Sequence, residues 1–153
     1  MTHHLNEKFL LYLNDALAME NAALDRIELK VNQTILEDSK QQLQHHLGET
    51  IEQQNRLRNI ITKLGGTPTK KAGLPILTSP ESILKTMKKM MSTAERDLKE
   101  CEQDTIIENA EVTGYNMLIQ WAIKLGIPAV ATAGDAIPLL RQSLAEEEKR
   151  IFF

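Results

Sequence analysis

A chain of 153 residues, 42% hydrophobic and 25% charged, is sized for one hydrophobic core, and we expect a single domain spanning residues 1–153. A net charge of -3 and a pI near 5.8 argue against a nucleic-acid binder, which shows a basic stripe; Lys70-Lys71 and Lys88-Lys89 are only local pairs. No run approaches the ~18 apolar residues of a membrane helix, and Met1-Thr2-His3-His4 lacks the basic and apolar regions of a signal peptide, so a cytoplasmic protein that contacts no membrane is expected.

Aromatic residues are only 4%, and a core built from Leu, Ile, Ala and Met suits interlocking helices better than strands. From Leu5 to about Val31 the residues Phe9, Leu10, Leu13, Leu17, Leu24 and Ile27 recur every three or four positions, the period of an amphipathic helix, with Glu20 on the same stripe. Asn32 and Gln33 give a short polar break. A second helix is expected from about Ile35 to Leu64 through Leu43, Leu47, Thr50, Gln54, Leu57 and Ile61, ended by Gly65-Gly66, since glycine accepts the left-handed conformation of a helix stop.

Residues Gly65 to Pro80 hold three glycines and three prolines and form the one long connection, apolar enough at Leu74-Pro75-Ile76-Leu77 to cross the bundle surface. Ser79-Pro80-Glu81 reads as an N-cap followed by proline in the first helical turn. From Glu81 to Leu125 the helical pattern lasts 45 residues, about 67 Å at 1.5 Å per residue, so a break or bend is expected near Asp104. The halves are Ser82 to Glu102, with a patch at Met87, Met90 and Met91, and Thr105 to Leu125, with Ile107, Glu111, Gly114, Leu118 and Trp121 on one stripe. The single Cys101 forms no internal disulfide and reads as a small, partly buried apolar residue. After Gly126 and Pro128 a last helix runs from about Ala129 or Ala133 to Arg150, with Pro138 near its start and Leu140, Leu144, Glu147 and Ile151 on its stripe. Ile151-Phe152-Phe153 would cap the core or a subunit interface. One short loop and one long crossover give an all-α four-helix bundle with ferritin-like connectivity, its third helix broken, rather than a simple up-down bundle.

The informative anomaly is a carboxylate on or beside each apolar stripe: Glu20, Glu49, Glu111 and Glu147. A buried carboxylate must be protonated, ion-paired or bound to a metal, because leaving it ionised and unpaired away from water is too costly. Two cations bridged by Glu oxygens are one solution, as in dimetal carboxylate bundles; chance placement of a few of the 21 acidic residues is the other. Glu52 and Glu108, three positions from Glu49 and Glu111, are weaker candidates. His46, one turn before Glu49, is a further candidate ligand, whereas His3, His4 and His45 read as solvent-facing. Tyr115, four residues after Glu111, reads as a core aromatic or as a hydrogen-bond donor to a carboxylate.

His46-Leu47-Gly48-Glu49-Thr50 with Arg56-Leu57, Ile107-Glu108-Asn109-Ala110-Glu111 leading to Gly114-Tyr115, and Leu139-Leu140 through Ser143-Leu144-Ala145-Glu146-Glu147 together resemble the YciE/YciF ferritin-like stress-response proteins, as does Asp15-Ala16 followed by Glu20. The resemblance does not extend over Gly65 to Lys99. It implies a ferritin-like bundle, commonly a homodimer, with a dinuclear iron or manganese site whose ligands are Glu20, Glu49, Glu111 and Glu147, with Glu108 as a fifth. This sequence departs from the pattern at Gly48, where the family often has an acidic residue, and no His follows Glu49 or Glu147 at three or four positions; Arg150 and Ile151 stand there instead.

Two functions follow as expectations. One is a dimetal oxidoreductase of stress defence, in which two iron or manganese ions react with peroxide or oxygen, the small oxidant. The other is a metal-free bundle that dimerises and binds a protein partner, its polar core held by Glu-Arg, Glu-His and Glu-Tyr contacts. Iron storage is weaker than either, because no feature announces a closed shell. Nucleophilic hydrolysis is not indicated, since no Ser/His/Asp or Cys/His arrangement is suggested.

Overall fold

The computed structural model describes residues 2–73, 92–126 and 136–151. Among them are four helices and no strand: α1 (Thr2–Gln33), α2 (Glu37–Lys63), α3 (Thr93–Lys124) and α4 (Ala136–Ile151). Each arises from the apolar period read in the sequence. Phe9, Leu13, Leu17 and Ile27 of α1, Leu57, Ile60 and Ile61 of α2, Ile107, Leu118, Ile119 and Ala122 of α3, and Leu140 of α4 are buried at helical spacing.

Named side-chain pairs fix the directions of the helices. Arg26 meets Asp104 and Tyr12 meets Trp121, so α1 and α3 are antiparallel. Arg56 meets Glu146 and Glu49 meets Arg150, so α2 and α4 are antiparallel as well. With α1 and α2 joined by a tight turn at residues 34–36, α2 and α3 must run in the same direction. Such a pair cannot be joined by a short loop; it needs the crossover of the ferritin-like connection.

The crossover begins with a built stop. Gly65 takes a left-handed φ of 82°, and the Gly66 and Gly65 amides donate to the carbonyls of Ile61 (2.9 Å) and Thr62 (3.0 Å), a Schellman arrangement. Gly66 lies close against α1: a Cβ there would lie 2.8 Å from Leu10 Cδ2, and that side chain would have to shift. The chain then runs along α1, where Asn14 donates to the Thr67 carbonyl at 3.2 Å and accepts from the Thr69 amide at 2.9 Å. One heptad on, Asn21 donates to the Lys71 carbonyl at 2.9 Å and accepts from Gln54 Nε2 at 2.8 Å. Two asparagines on one face of α1 thus satisfy an extended backbone that has no strand partner.

Three expectations are corrected. The break near Asp104 is absent: α3 passes through Asp104 without interruption and begins at Ser92, whose hydroxyl accepts from the Glu95 amide while the Glu95 carboxylate accepts from the Ser92 amide. That capping box, Ser92-Thr93-Ala94-Glu95, is a strong start signal. Cys101 is exposed rather than partly buried, because the described core positions of α3 begin only at Ile107. Helix α1 also extends through Asn32 and Gln33, so the polar break falls two residues later. The Ser79-Pro80-Glu81 cap, the Met87, Met90 and Met91 patch, and Phe152-Phe153 lie outside the described residues.

Candidate metal centre

Midway along the bundle the apolar layers give way to carboxylates. Glu20 of α1, Glu111 of α3 and Glu147 of α4 are 1%, 5% and 0% exposed, and each offers an oxygen within 4.8 Å of the others. Their placement follows from the stripes: Glu20 is one turn beyond Leu17, Glu111 one turn beyond Ile107, and Glu147 two turns beyond Leu140. The same period that buries the leucines buries the acids.

Few protein groups answer these carboxylates. Tyr115 donates its hydroxyl to Glu20 Oε1 at 2.8 Å, so it acts both as a buried aromatic and as a donor. Arg150 donates to Glu147 Oε1 at 3.2 Å. Glu20 Oε2, Glu111 Oε1 and Glu147 Oε2 remain buried with no hydrogen-bond partner, as do Thr50 Oγ1 and Gln53 Oε1 on the facing side of α2. Buried polar atoms are ordinarily paired, so several orphans around one point make this cluster the candidate site.

The electrostatics say the same. Burial, reinforced by the Glu147 charge, pushes the Glu20 carboxyl up to about 8 against the pull of the Tyr115 hydrogen bond. Burial and the Glu20 and Glu147 charges hold Glu111 well above the usual carboxylate range, and burial raises Glu147 although Arg150 opposes it. All three shifts run toward the protonated form, which avoids stacking like charges out of water.

Glu49 and Glu108 stand at the margin of the triad. Glu49, about one-fifth exposed, is held by Arg150 and by His45 Nε2 at 2.6 Å; His45 is solvent-facing as expected but not without a partner. Glu108 Oε1 lies 3.9 Å from His46 Nε2, and burial with the Glu147 charge raises it to about 7. His46 is half-buried, and burial together with the nearby Arg150, Lys30 and Arg26 cations lowers it to about 3, so its ring is neutral and able to act as a ligand. Glu52 is exposed.

Two cavities approach the triad from opposite sides, and Glu111 lines both. One, of about 120 Å³, is walled by Tyr12, Ala16, Met19, Gly114, Met117 and Trp121 and ends at Glu20 and Glu111. The other, of about 90 Å³, is more polar than the first, with Arg26, Lys30, His46, Asp104 and Glu108 among its lining residues. Asp104 is ion-paired to both Arg26 and Lys30.

A second polar group beside the triad escaped the sequence. Arg56 forms a two-pronged pair with Glu146, at 2.6 and 3.0 Å, and donates to the buried Ser143 hydroxyl at 3.1 Å, while Gln53 Nε2 donates to Glu146 at 3.2 Å. The signal available was Gln53, a polar residue on a helix face that should be apolar; its partner Glu146, shared with Arg56, is some 90 residues away and carries no local pattern.

An antiparallel pairing of helical hairpins, joined by a long crossover and enclosing carboxylates from three helices, defines a ferritin-like carboxylate bundle. The chain belongs to the family described as a domain of unknown function, DUF892, whose pattern matches residues 4–150. Its fold is similar to that of a protein of Xanthomonas campestris, with a TM-score of 0.71 and 17% identity over 97% of this chain and 87% of that one. YcfI of Rhodopseudomonas palustris is similar too, with a TM-score of 0.67 and 23% identity over 99% of this chain and 91% of that one. No curated protein matches.

Proposed function

We propose that this chain is a carboxylate-centred metal protein of stress defence, related to the YciE/YciF proteins, that binds divalent iron or manganese at Glu20, Glu111 and Glu147. Glu49 and Glu108 are the nearest donors for a second ion. The observation that carries the reading is the convergence of three buried carboxylates from three helices, each with an oxygen that no protein group satisfies. Among the described residues, Arg150 is the cation that contacts the five acids, at Glu49 and Glu147, and Lys30 acts on Glu108 from farther off, so acids outnumber cations and the cluster has room for positive charge. An all-oxygen donor set suits a hard divalent cation better than zinc or copper, and a neutral His46 offers a nitrogen at the margin. When bound, such ions supply electron transfer to peroxide or oxygen.

The protein's own contribution is shelter and proton handling. Tyr115 holds the Glu20 carboxylate in one orientation, and the ligands release the protons that burial makes them keep, which ties affinity to pH. The apolar cavity between Tyr12 and Glu20 gives a small uncharged oxidant a path that does not cross the charged face. A cytoplasmic homodimer is part of this proposal.

The deciding experiment is metal content by mass spectrometry on tag-free protein reconstituted anaerobically with Fe(II) or Mn(II). One or two ions per chain, lost in Glu111→Gln and Glu147→Gln, with peroxide consumption by the iron-loaded form, is the expected result. Absence of metal after reconstitution overturns the proposal in favour of a metal-free bundle.

A further inference from the structure

Arg150 is the charged group at this centre that the proposed function does not use. It follows Glu147 by three residues, so both occupy one face of α4. It is 15% exposed at the side chain, and its guanidinium donates to Glu147 Oε1 at 3.2 Å and to Glu49 Oε2. It therefore bridges α4 to α2. Burial opposes its charge, but Glu147 and Glu49 outweigh burial and keep it ionised. Its field also reaches Glu108 and His46, so the groups nearest to a second cation all face Arg150 already.

A guanidinium has five N–H donors and no lone pair, so it cannot bind a metal, and it repels one that approaches the same oxygens. It is also tethered, which gives it an effective concentration at Glu49 that a free ion must exceed. In dimetal bundles a His follows the last-helix Glu by three residues; here that position carries a permanent cation instead of a ligand.

Resting on the metal-binding reading above, we infer that Arg150 is a built-in counter-ion occupying the second cation position between Glu49 and Glu147. The native chain then takes a single divalent ion at Glu20, Glu111 and Glu147, and a pair forms only when Arg150 is removed. Glu49 is thereby a ligand in reserve.

The test is anaerobic titration of the metal-free full-length chain with Mn(II), read by electron paramagnetic resonance, which counts free ions and distinguishes an isolated ion from a coupled pair. The native chain is expected to bind one ion per chain and Glu49→Gln to leave that number unchanged. Arg150→Met, which keeps most of the volume and removes the charge, is expected to bind two with the signature of a pair. Adding Glu49→Gln to it returns the number to one. Arg150→Lys, which keeps the charge, stays at one, and Arg150→His serves as the second charge-removing variant should Arg150→Met not fold.

A native chain that binds a coupled pair, or an Arg150→Met chain that binds no more than the native one, overturns the inference and leaves the proposed function standing. Binding by Arg150→Met alone overturns both the proposed function of the native chain and its inferred single-ion state. Absence of binding by every folded variant overturns both.

Discussion

The two halves of the bundle interior are built on one helical period but in opposite chemistry. Toward the start of α1, Phe9, Leu13 and Leu17 pack with Leu57, Ile60, Ile61, Leu118, Ala122 and Leu140 into a closed apolar cluster. Toward its end the same faces present Glu20, Glu111, Glu147 and Glu108, and cavities open on either side of Glu111. The first half supplies cohesion that the second lacks. A cluster of carboxylates that share protons costs stability, and it persists because the packed half holds the four helices in place.

The largest expected effect lies in the packed half. Leu57→Ala removes a fully buried side chain and should lower the unfolding free energy by ~3 kcal/mol, read as a shift in the urea midpoint. A loss under ~1 kcal/mol would mean that this half is looser than its burial indicates.

The carboxylate half should respond to pH in the opposite sense to an ordinary salt-bridged protein. Burial pushes Glu20 up to about 8 in the folded chain, against 4.5 for an ordinary exposed carboxyl, and Glu108 to about 7, so the folded state holds protons that the unfolded state releases. Their stabilisation is complete below about pH 4.5 and is lost as pH rises through 7 and 8. His46 works the other way, its contribution fading only as pH falls below 6.5 toward 3. The metal-free protein should therefore lose ~2 kcal/mol between pH 6.5 and 8.5, with Glu20→Gln flattening the profile. A metal-free stability that rises over that window would break the contrast between the halves.

The smallest effect concerns the crossover. Asn14→Ala removes the acceptor of the Thr69 amide and the donor to the Thr67 carbonyl, which should cost ~1 kcal/mol and speed hydrogen exchange at Thr69. Unchanged exchange at Thr69 would show that its protection does not come from Asn14.

Much of the fold was legible because helical period and helix-stop chemistry are local. Phe9, Leu13, Leu17 and Ile27 announced one face of α1, and Gly65-Gly66 announced the end of α2 to within a residue or two. The expected break near Asp104 rested on length alone, and the capping box at Ser92, which was equally local, outweighs it. Site legibility followed a similar division. Glu20, Glu111 and Glu147 showed themselves as acids on apolar stripes, whereas the Arg56–Glu146–Ser143 network and the pairing of Asp104 with Arg26 and Lys30 join residues far apart in sequence.

By itself, then, the sequence determined four amphipathic helices, a crossover between the second and third described helices, and one acid on the inner face of each. Those are consequences of a repeat of 3.6 residues acting on neighbours along the chain. Only the tertiary structure decided which acids meet. Glu20, Glu111 and Glu147 converge, while Glu49 is drawn aside by Arg150 and Glu108 lies beside His46. The reason is that period fixes the face on which a side chain sits, whereas the depth at which facing helices align, and therefore which charge finds which partner, is set by how the apolar half packs.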